Sequence, residues 1–372
     1  MAETRKKSQL TVDPHIQRAH TLPSDAYNDP AMLHVEHQTV FSRTWNLVGR
    51  IDQVRKPGDY FTTSVADEPL VVVRDQASTL RAYSNVCRHR AGPVASGEGN
   101  RKSFQCGYHG WTYSLDGRLS TTPEFDGVEC FSKEGVCLPE FNVDTWGPLV
   151  FANLSSGGPS LLEVLDDIPE RIKHSDIASM KPAARKDWTV ECNWKVYVDN
   201  YLEGYHIPIV HPSLNRELDY ANYRVETRRF YSIQHSPIRV REGQRINLTG
   251  TSADQDAQYF WIFPNLMLNV YPDNFSTNLI LPVGHDKTLT VFEWYVFDPD
   301  RNEVREALNR VIEFSDEIQL EDIAICEAVQ RGLRSRTYER GRYSVKRENG
   351  VHHFHRLLAD CYEEKGLGER PT

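Results

Sequence analysis

Two short segments place four metal-donor side chains at matched spacing. Cys87 and His89 are separated by one residue, and after sixteen intervening residues come Cys106 and, past Gly107-Tyr108, His109. A thiol and an imidazole offered twice in this way suit two loops that converge on one centre, and everything between them must fold back to allow it. Zinc sites of the Cys2His2 type keep their cysteines together and their histidines together. Here each segment mixes the two. Four unrelated buried side chains are the other reading, and the repeated pairing weighs against it.

Two thiolates can hold one iron of a [2Fe–2S] unit and two imidazoles the other, an arrangement that raises the reduction potential. Gly92, Gly107 and Gly110 allow backbone amides to approach the cluster sulfurs. The surroundings read as short strands. Leu70–Arg74 and Leu80–Asn85 flank a polar loop at Asp75–Thr79, and Trp111–Leu115 and Leu119–Thr121 flank Asp116-Gly117, a hairpin signal. With Leu149–Asn153 they predict a small all-β domain over residues 46–154. CRHR followed by CGYHGWTYSLDG resembles the Rieske motif of the aromatic-ring-hydroxylating type oxygenase α subunits. That resemblance implies a Rieske cluster on Cys87, His89, Cys106 and His109. The motif by itself does not separate an oxygenase from an electron-transfer ferredoxin.

A second set lies in residues 193–212, NWKVYVDNYLEGYHIPIVHP. His206 and His211 are five apart, and Glu203 precedes His206 by three, on one face if the segment is helical. Pro208 ends such a helix, putting His206 near its end and His211 in the following turn. A facial triad of two histidines and one carboxylate needs its carboxylate from elsewhere. A long helix expected over Val304 to about Leu333 offers one. Ile318, Ile325, Cys326, Val329 and Leu333 form its apolar stripe, Asp322 lies in that stripe, and Glu321 and Glu327 fall off it. A carboxylate on a buried face is costly unless paired, and an iron ion would pair it. Each feature alone has an ordinary alternative, satisfied histidines or a salt bridge from Asp322 to Arg331 or Arg334. Together, in a chain carrying the first set, they favour iron.

NWKVxxDNYxExYHxxxxHP resembles the catalytic iron motif of Rieske oxygenases. The resemblance implies that His206, His211 and Asp322 bind a mononuclear Fe(II) that works with O2. It implies that Glu203 bridges to a Rieske histidine of the neighbouring subunit in a head-to-tail homotrimer. No G-x-G-x-x-G turn suits a strand–helix junction, so a separate NAD(P)H-dependent reductase of flavin or ferredoxin type is expected. FPNLMLNVYPDNFSTNLILP, SDEIQLEDIAICEAVQRGLRSRTYERGRYS and VHHFHRLL resemble the branch of that family acting on quaternary ammonium compounds such as choline, betaine and carnitine. With the metal motifs the likeness covers most of residues 30–358. It implies a monooxygenase acting on a small organic cation. A quaternary ammonium wants aromatic faces, and Tyr205, Tyr259, Trp261, Phe263, Tyr271 and Phe275 are the candidates. Alternating Tyr259, Trp261 and Phe263 suit one face of a strand packing a core equally well, and an aromatic pocket also suits an aromatic acid or ring as substrate.

The remaining features set limits. The 372 residues, 39% apolar and 26% charged, fit a soluble protein of about two domains. A net charge of −9 argues against nucleic acid or an anionic membrane as partner, and no apolar run approaches the roughly 18 residues of a membrane span. The first residues lack the apolar stretch of a secretory signal, and Glu3 and Asp13 argue against a transit peptide, so a cytoplasmic location is expected. Seven cysteines argue against a disulfide framework; Cys130, Cys137, Cys192 and Cys361 have no mutual ligand spacing. The fold class is α+β, the small Rieske domain plus a larger catalytic domain with an antiparallel sheet covered by helices. Residues 1–45 are expected as a tail and a packing helix (a mobile stretch to about residue 25, then Ala31 to Trp45), and residues 155–372 as the catalytic domain. In that domain Ser155–Pro159 is a linker, a helix runs to about His174, and strands span Val225 to about Phe297. His352, His353 and His355 read as surface or interface residues. Asn247-Leu-Thr249 fits the glycosylation pattern, which is irrelevant in the cytoplasm.

Overall fold

The computed structural model describes residues 10–237, 257–271 and 274–363. Asn247-Leu-Thr249 lies outside the described residues, as do residues 1–9. The chain forms two compact units, residues 41–161 and residues 1–40 joined with 162–372. The boundaries therefore fall a few residues outside the expected 46–154. Trp45 donates its indole N–H to Pro159 O at 2.9 Å, and Asn46 donates to Phe41 O at 2.8 Å. Those bonds tie both flanks into the smaller unit.

The smaller unit is built from β1 (Asn46–Arg50), β2 (Asp59–Val65), β3 (Glu68–Arg74), β4 (Leu80–Ser84), β5 (Glu98–Asn100), β6 (Ser103–Gln105), β7 (Thr112–Ser114), β8 (Leu119–Thr121), β9 (Glu140–Trp146) and β10 (Leu149–Asn153). One antiparallel sheet runs in the order β1-β10-β9-β4-β3-β2-β5, and β6-β7-β8 forms a separate three-stranded sheet. Val71 and Val73 pack with Tyr83, Phe104, Trp111 and Tyr113 on one side of β3, and Val72 packs with Phe61 and Val150 on the other. The strand is buried on both faces, as its run of valines suggests. The expected hairpin is β7–β8. Gly117 has φ +84°, and a Cβ there would lie 2.7 Å from the Tyr83 ring, so the turn requires glycine twice over.

In the larger unit, β11 (Lys181–Val190), β12 (Arg224–Thr227), β13 (Tyr231–Ser236), β14 (Ala257–Ile262), β15 (Leu266–Val270), β16 (Asn274–Gly284) and β17 (Lys287–Val296) form one antiparallel sheet. Its order is β11-β17-β16-β15-β14-β13-β12. The sequence reading placed the first strand near Val225 and missed β11. That edge strand is rich in Lys and Arg and is recruited by pairing with β17.

The helices differ from expectation in instructive ways. After a single turn at Asp25–Asn28, the helix expected from Ala31 runs over Pro30–Thr39 and does not reach Trp45; Asp29 caps it by accepting from Ala31 N at 2.9 Å, and Pro30 opens it. Past its end Asn46 takes the carbonyls of Phe41 and Thr44 at 2.8 Å, an alternative to further helical bonds. Residues 10–24 are not a free tail. Ala19 and Leu22 are buried, Thr21 N donates to Gly341 O at 3.2 Å and Ser24 N to Glu339 O at 2.8 Å. The helix expected to reach His174 is broken into Leu161–Leu165 and Ile168–Arg171, with Asp166 at φ +50° between them.

Two helices frame the site. Trp194–Tyr201 is capped by Asn193, whose side chain accepts from Lys195 N at 3.0 Å. The long helix spans Asn302–Leu333, two residues longer at its start than expected, and its fully buried positions are Leu308, Ile312, Gln319, Cys326 and Gln330. The expected apolar stripe is thus only partly the buried face, and Val329 is 44% exposed. Buried glutamines take places an apolar pattern would have claimed because each is satisfied. Tyr197 OH donates to Gln319 Oε1, and Asn193 N donates to Gln330 Oε1 at 2.8 Å. The last helix, Asn349–Tyr362, buries His352 and His355, which corrects their reading as surface residues. His355 Nε2 lies 2.8 Å from Asp199 Oδ1, and Tyr343 OH lies 2.7 Å from its Nδ1.

Candidate metal centres

In the smaller unit two loops of the same size meet. Cys87 N donates to Gly92 O at 2.8 Å and Ala91 N to Cys87 O at 3.0 Å; in the second loop Cys106 N donates to Trp111 O at 2.9 Å and Gly110 N to Cys106 O at 3.0 Å. Each closure presents its cysteine inward. Cys87 and Cys106 are buried and free of disulfides. A Cβ on Gly92 would stand 3.0 Å from Cys106 Sγ, so the loops touch where only glycine fits. The His89 and His109 rings lie 4.7 Å apart by centroid, and His89 stacks on Trp111 at 4.8 Å. Among the described residues His89 Nδ1 is buried with no hydrogen-bond partner. A buried imidazole nitrogen without a partner is costly, and a metal would relieve it. Tyr113 OH accepts from Arg88 N at 2.9 Å and lies 3.3 Å from Cys87 Sγ; burial pushes this phenol well above its usual range. Two thiols and two imidazoles on these loops can hold a two-iron, two-sulfide group.

The second set is more compact. The Trp194–Tyr201 helix stops before Glu203, so Glu203 and His206 share a turn and not a helix face. Glu203 Oε2 accepts from the backbone amides of Tyr205 and His206, and its Oε1 lies 2.5 Å from His206 Nδ1. Gly204 is required in this turn, since a Cβ would meet the Tyr223 ring at 2.6 Å. Pro208 sits in the first turn of a new short helix, Ile207–Val210, and so starts a helix where it was expected to end one. His211 falls between that helix and Pro212–Glu217.

These turns aim both Nε2 atoms at one point. His206 Nε2 and His211 Nε2 are 3.2 Å apart, and Asp322 Oδ1 lies 3.0 Å from the latter and 3.8 Å from the former. The three donor atoms fall within 4.8 Å of one another. The far nitrogen of each ring is already held: His206 Nδ1 by Glu203, and His211 Nδ1 by Glu321 Oε2 at 2.6 Å. Asn200 Nδ2 holds Asp322 Oδ1 at 2.6 Å. A donor triad with both outward ring nitrogens held and its carboxylate oriented fits a metal with open positions. Burial alone would keep His211 neutral, but Asp322 and Glu321 outweigh it and hold its pKa above the ordinary value. A bound cation would take the place of that proton.

Glu321 and Asn200 were missed from the sequence. Glu321 was set aside because it lies off the apolar stripe; its adjacency to Asp322, about 100° round the helix, was the available signal. Asn200 stood unremarked in the quoted motif.

The triad opens on a cavity of about 180 Å³. Of the expected aromatic residues, Tyr259 and Tyr271 line it. Tyr205 does not; it is 56% exposed, beyond the turn. Trp261 packs on Phe263 and Phe354, and Phe275 stacks on Tyr295 at 4.4 Å, so these three rings belong to the core. The cavity draws its other rings from Tyr197, Tyr201, Tyr223, Phe292, Trp294 and Phe314, which the spacing of the sequence did not connect.

Two converging Cys/His loops, and a separate triad of two turn histidines and a helix carboxylate in a unit built on an antiparallel sheet, define a Rieske non-haem iron oxygenase. Residues 44–132 match the Rieske [2Fe-2S] domain and residues 177–364 the ring hydroxylating alpha subunit (catalytic domain), and the chain belongs to this family. Members of the family carry a [2Fe–2S] Rieske cluster and a mononuclear iron. The chain is 37% identical over 93% of its length to choline monooxygenase of Arabidopsis thaliana, covering 84% of that protein. It is 32% identical to the carnitine monooxygenase oxygenase subunit of Acinetobacter pittii, over 93% of this chain and 95% of that one. A solved structure of a quaternary ammonium Rieske monooxygenase superposes with a TM-score of 0.82 at 30% identity, covering 92% of this chain and 96% of the other. Naphthalene 1,2-dioxygenase from Rhodococcus sp. shares the fold with a TM-score of 0.76 at 19% identity, over 94% of this chain and 95% of that one.

Proposed function

We propose that this chain is the oxygenase component that hydroxylates a small quaternary ammonium compound with O2. The observation that carries the proposal is the opening of the His206, His211 and Asp322 triad onto a cavity ringed by aromatic side chains. Cys87, His89, Cys106 and His109 hold the Rieske cluster; His206, His211 and Asp322 hold Fe(II). When bound, the cluster supplies electrons singly and the ferrous ion supplies open positions for O2. The reaction consumes the substrate C–H bond, O2, two electrons and two protons, and yields the C–OH product and water.

The chain's own groups do the rest. Glu203 and Glu321 orient the two imidazoles. Asn200 leaves Asp322 one set direction. The tyrosine and tryptophan rings offer negative faces to an ammonium group. Ile207, Leu214, Val311 and Ile318 supply apolar wall that keeps water from the centre.

The proposal includes a head-to-tail homotrimer in which Glu203 links the iron site of one copy to the Rieske histidine of the next. The exposure of Tyr205 and of Ile209, at 83%, beside the Glu203 turn supports it. So does the description of a 30% identical relative's structure, which concerns inter-subunit electron transfer. Electrons come from a separate NAD(P)H-dependent reductase of flavin or ferredoxin type. A cytoplasmic location accords with seven free cysteines, and no helix among the described residues is long and apolar enough to cross a membrane.

The test is substrate-dependent oxygen uptake by the iron-loaded protein with a surrogate reductase, against choline, glycine betaine, carnitine and benzoate-type acids. Uptake and hydroxylated product are expected with at least one quaternary ammonium compound. Turnover of the aromatic acids alone would overturn the reading in favour of aromatic hydroxylation.

A further inference from the structure

The hydrogen bonds of the cavity wall leave several donors unspent among the described residues, two of them at successive inward positions of one strand. Most polar side chains lining the cavity are paired with each other. Tyr197 OH donates to Gln319 and Tyr223 OH to Gln234; Gln319 Nε2 donates to Thr290 Oγ1 at 3.2 Å, and Tyr271 OH to Tyr259 OH at 3.3 Å. Asn269 is fully used: it accepts from Tyr201 OH at 3.1 Å and donates to Ser276 Oγ at 3.0 Å and Asn278 Oδ1 at 3.3 Å. That leaves Ser276 and Asn278 as acceptors only. The Ser276 O–H and the Asn278 amide N–H groups have no partner among the described residues. Yet Ser276 is 4% exposed and Asn278 7%, and both line the cavity. Buried donors are almost always satisfied, so unspent ones facing a cavity point to a ligand.

Register places these donors on one sheet face. Ser276 and Asn278 alternate along β16 and pair with Trp294 and Phe292 on β17, so each donor stands beside an aromatic ring on the same face. Cross-strand neighbours lie about 5 Å apart, the reach of a short carbon chain between an ammonium nitrogen and an oxygen.

We infer that Ser276 and Asn278 form a subsite that donates hydrogen bonds to an oxygen acceptor, hydroxyl or carboxylate, on the quaternary ammonium substrate. This rests on the function proposed above and names the substrate feature that the cavity selects. The wall therefore reads two features at once, a cation against rings and an oxygen against paired neutral donors. A quaternary ammonium lacking the oxygen leaves both donors buried and unmet.

The experiment compares kcat/KM of the full-length, iron-loaded protein for choline, glycine betaine, carnitine and propyltrimethylammonium, in which a methyl group replaces the choline hydroxyl. Wild type, Ser276→Ala, Asn278→Ala and Ser276→Thr are used, with the visible absorbance of the cluster as the check on folding. Wild type should prefer an oxygen-bearing compound over propyltrimethylammonium. That preference ratio should fall roughly tenfold in each alanine variant, chiefly through KM, and recover in Ser276→Thr. A larger fall with choline identifies a hydroxyl, and a larger fall with betaine or carnitine a carboxylate. Ratios within twofold of wild type in both alanine variants overturn the subsite. So does a wild type that processes propyltrimethylammonium as well as its oxygenated counterparts, whether or not the variants fold. If no quaternary ammonium compound is turned over, the functional proposal falls and the subsite with it.

Discussion

At the scale of single residues, the proposed iron triad has no slack. Asp322 can face a metal because Asn200 holds the same carboxylate, and His211 can do so because Glu321 holds its far nitrogen. Asp322→Ala should abolish O2-dependent hydroxylation while the Rieske absorbance persists; surviving turnover would show that this site is not catalytic. Glu321→Ala should leave the triad chemically intact and weaken iron binding by roughly 10–100-fold, read by metal titration. Asp75 offers a contrasting structural carboxylate. Burial works against its ionised form, but the Arg81 guanidinium at 2.7 Å and the amides of Thr79 and Ala77 outweigh that and hold its pKa below the ordinary value. The unfolded chain binds this proton first as pH falls, so the stabilisation is present above the ordinary Asp pKa of about 3.9 and is lost as pH drops through the lower folded value. Asp75→Asn should lower the melting temperature at pH 7 and narrow the gap from wild type at acid pH.

Among the elements, the helix Trp194–Tyr201 is the one on which the larger unit depends. Its front supplies Tyr197, Asn200 and Tyr201 to the cavity. Its back buries Lys195 against Glu36, with Trp194 Nε1 donating to Glu36 Oε2 at 2.7 Å and Tyr362 OH to Glu36 Oε1 at 2.9 Å. Burial pulls the Lys195 pKa down, with Glu36 opposing. One ion pair thus fastens the first helix, this helix and the last. Lys195→Met leaves the Glu36 charge buried without its partner and should cost about 3–5 kcal/mol in chemical denaturation. Glu36→Gln with Lys195→Met should recover part of that loss. None of this was legible beforehand, because Glu36 and Lys195 are 159 positions apart and each reads as an ordinary surface charge. The hairpin at Asp116-Gly117 and the helix over residues 302–333 were legible, because a turn and a long amphipathic repeat are encoded locally. Strand β11 was not, since pairing with β17 and not its own pattern makes it a strand.

For the whole molecule, the proposed division of labour gives a test that mixes chains. Under that proposal a chain carrying Cys87→Ser lacks a cluster ligand, and one carrying Asp322→Ala lacks an iron ligand. Alone each should be inactive. Co-expressed in a head-to-tail trimer, an intact cluster in one copy can face an intact iron site in the next, and hydroxylation should return. Continued inactivity of mixed trimers would place electron transfer within a single chain.

The donor sets of both proposed centres were legible in local spacing. Cys87, His89, Cys106 and His109 sit in short loops whose spacing sets which atoms converge, and His206, His211 and Asp322 stood out by type and position. Such motifs are local, so they survive without knowledge of the fold. The tertiary structure decided the rest. It chose Glu321 and Asn200 as the supports, sent Trp261, Phe263 and Phe275 into the core, and brought Phe292 and Trp294 to the cavity in their place. It also left the donors of Ser276 and Asn278 unspent. Which side of a sheet faces a cavity, and which polar groups find partners there, depends on strands and helices far apart in the chain, and no local pattern records it.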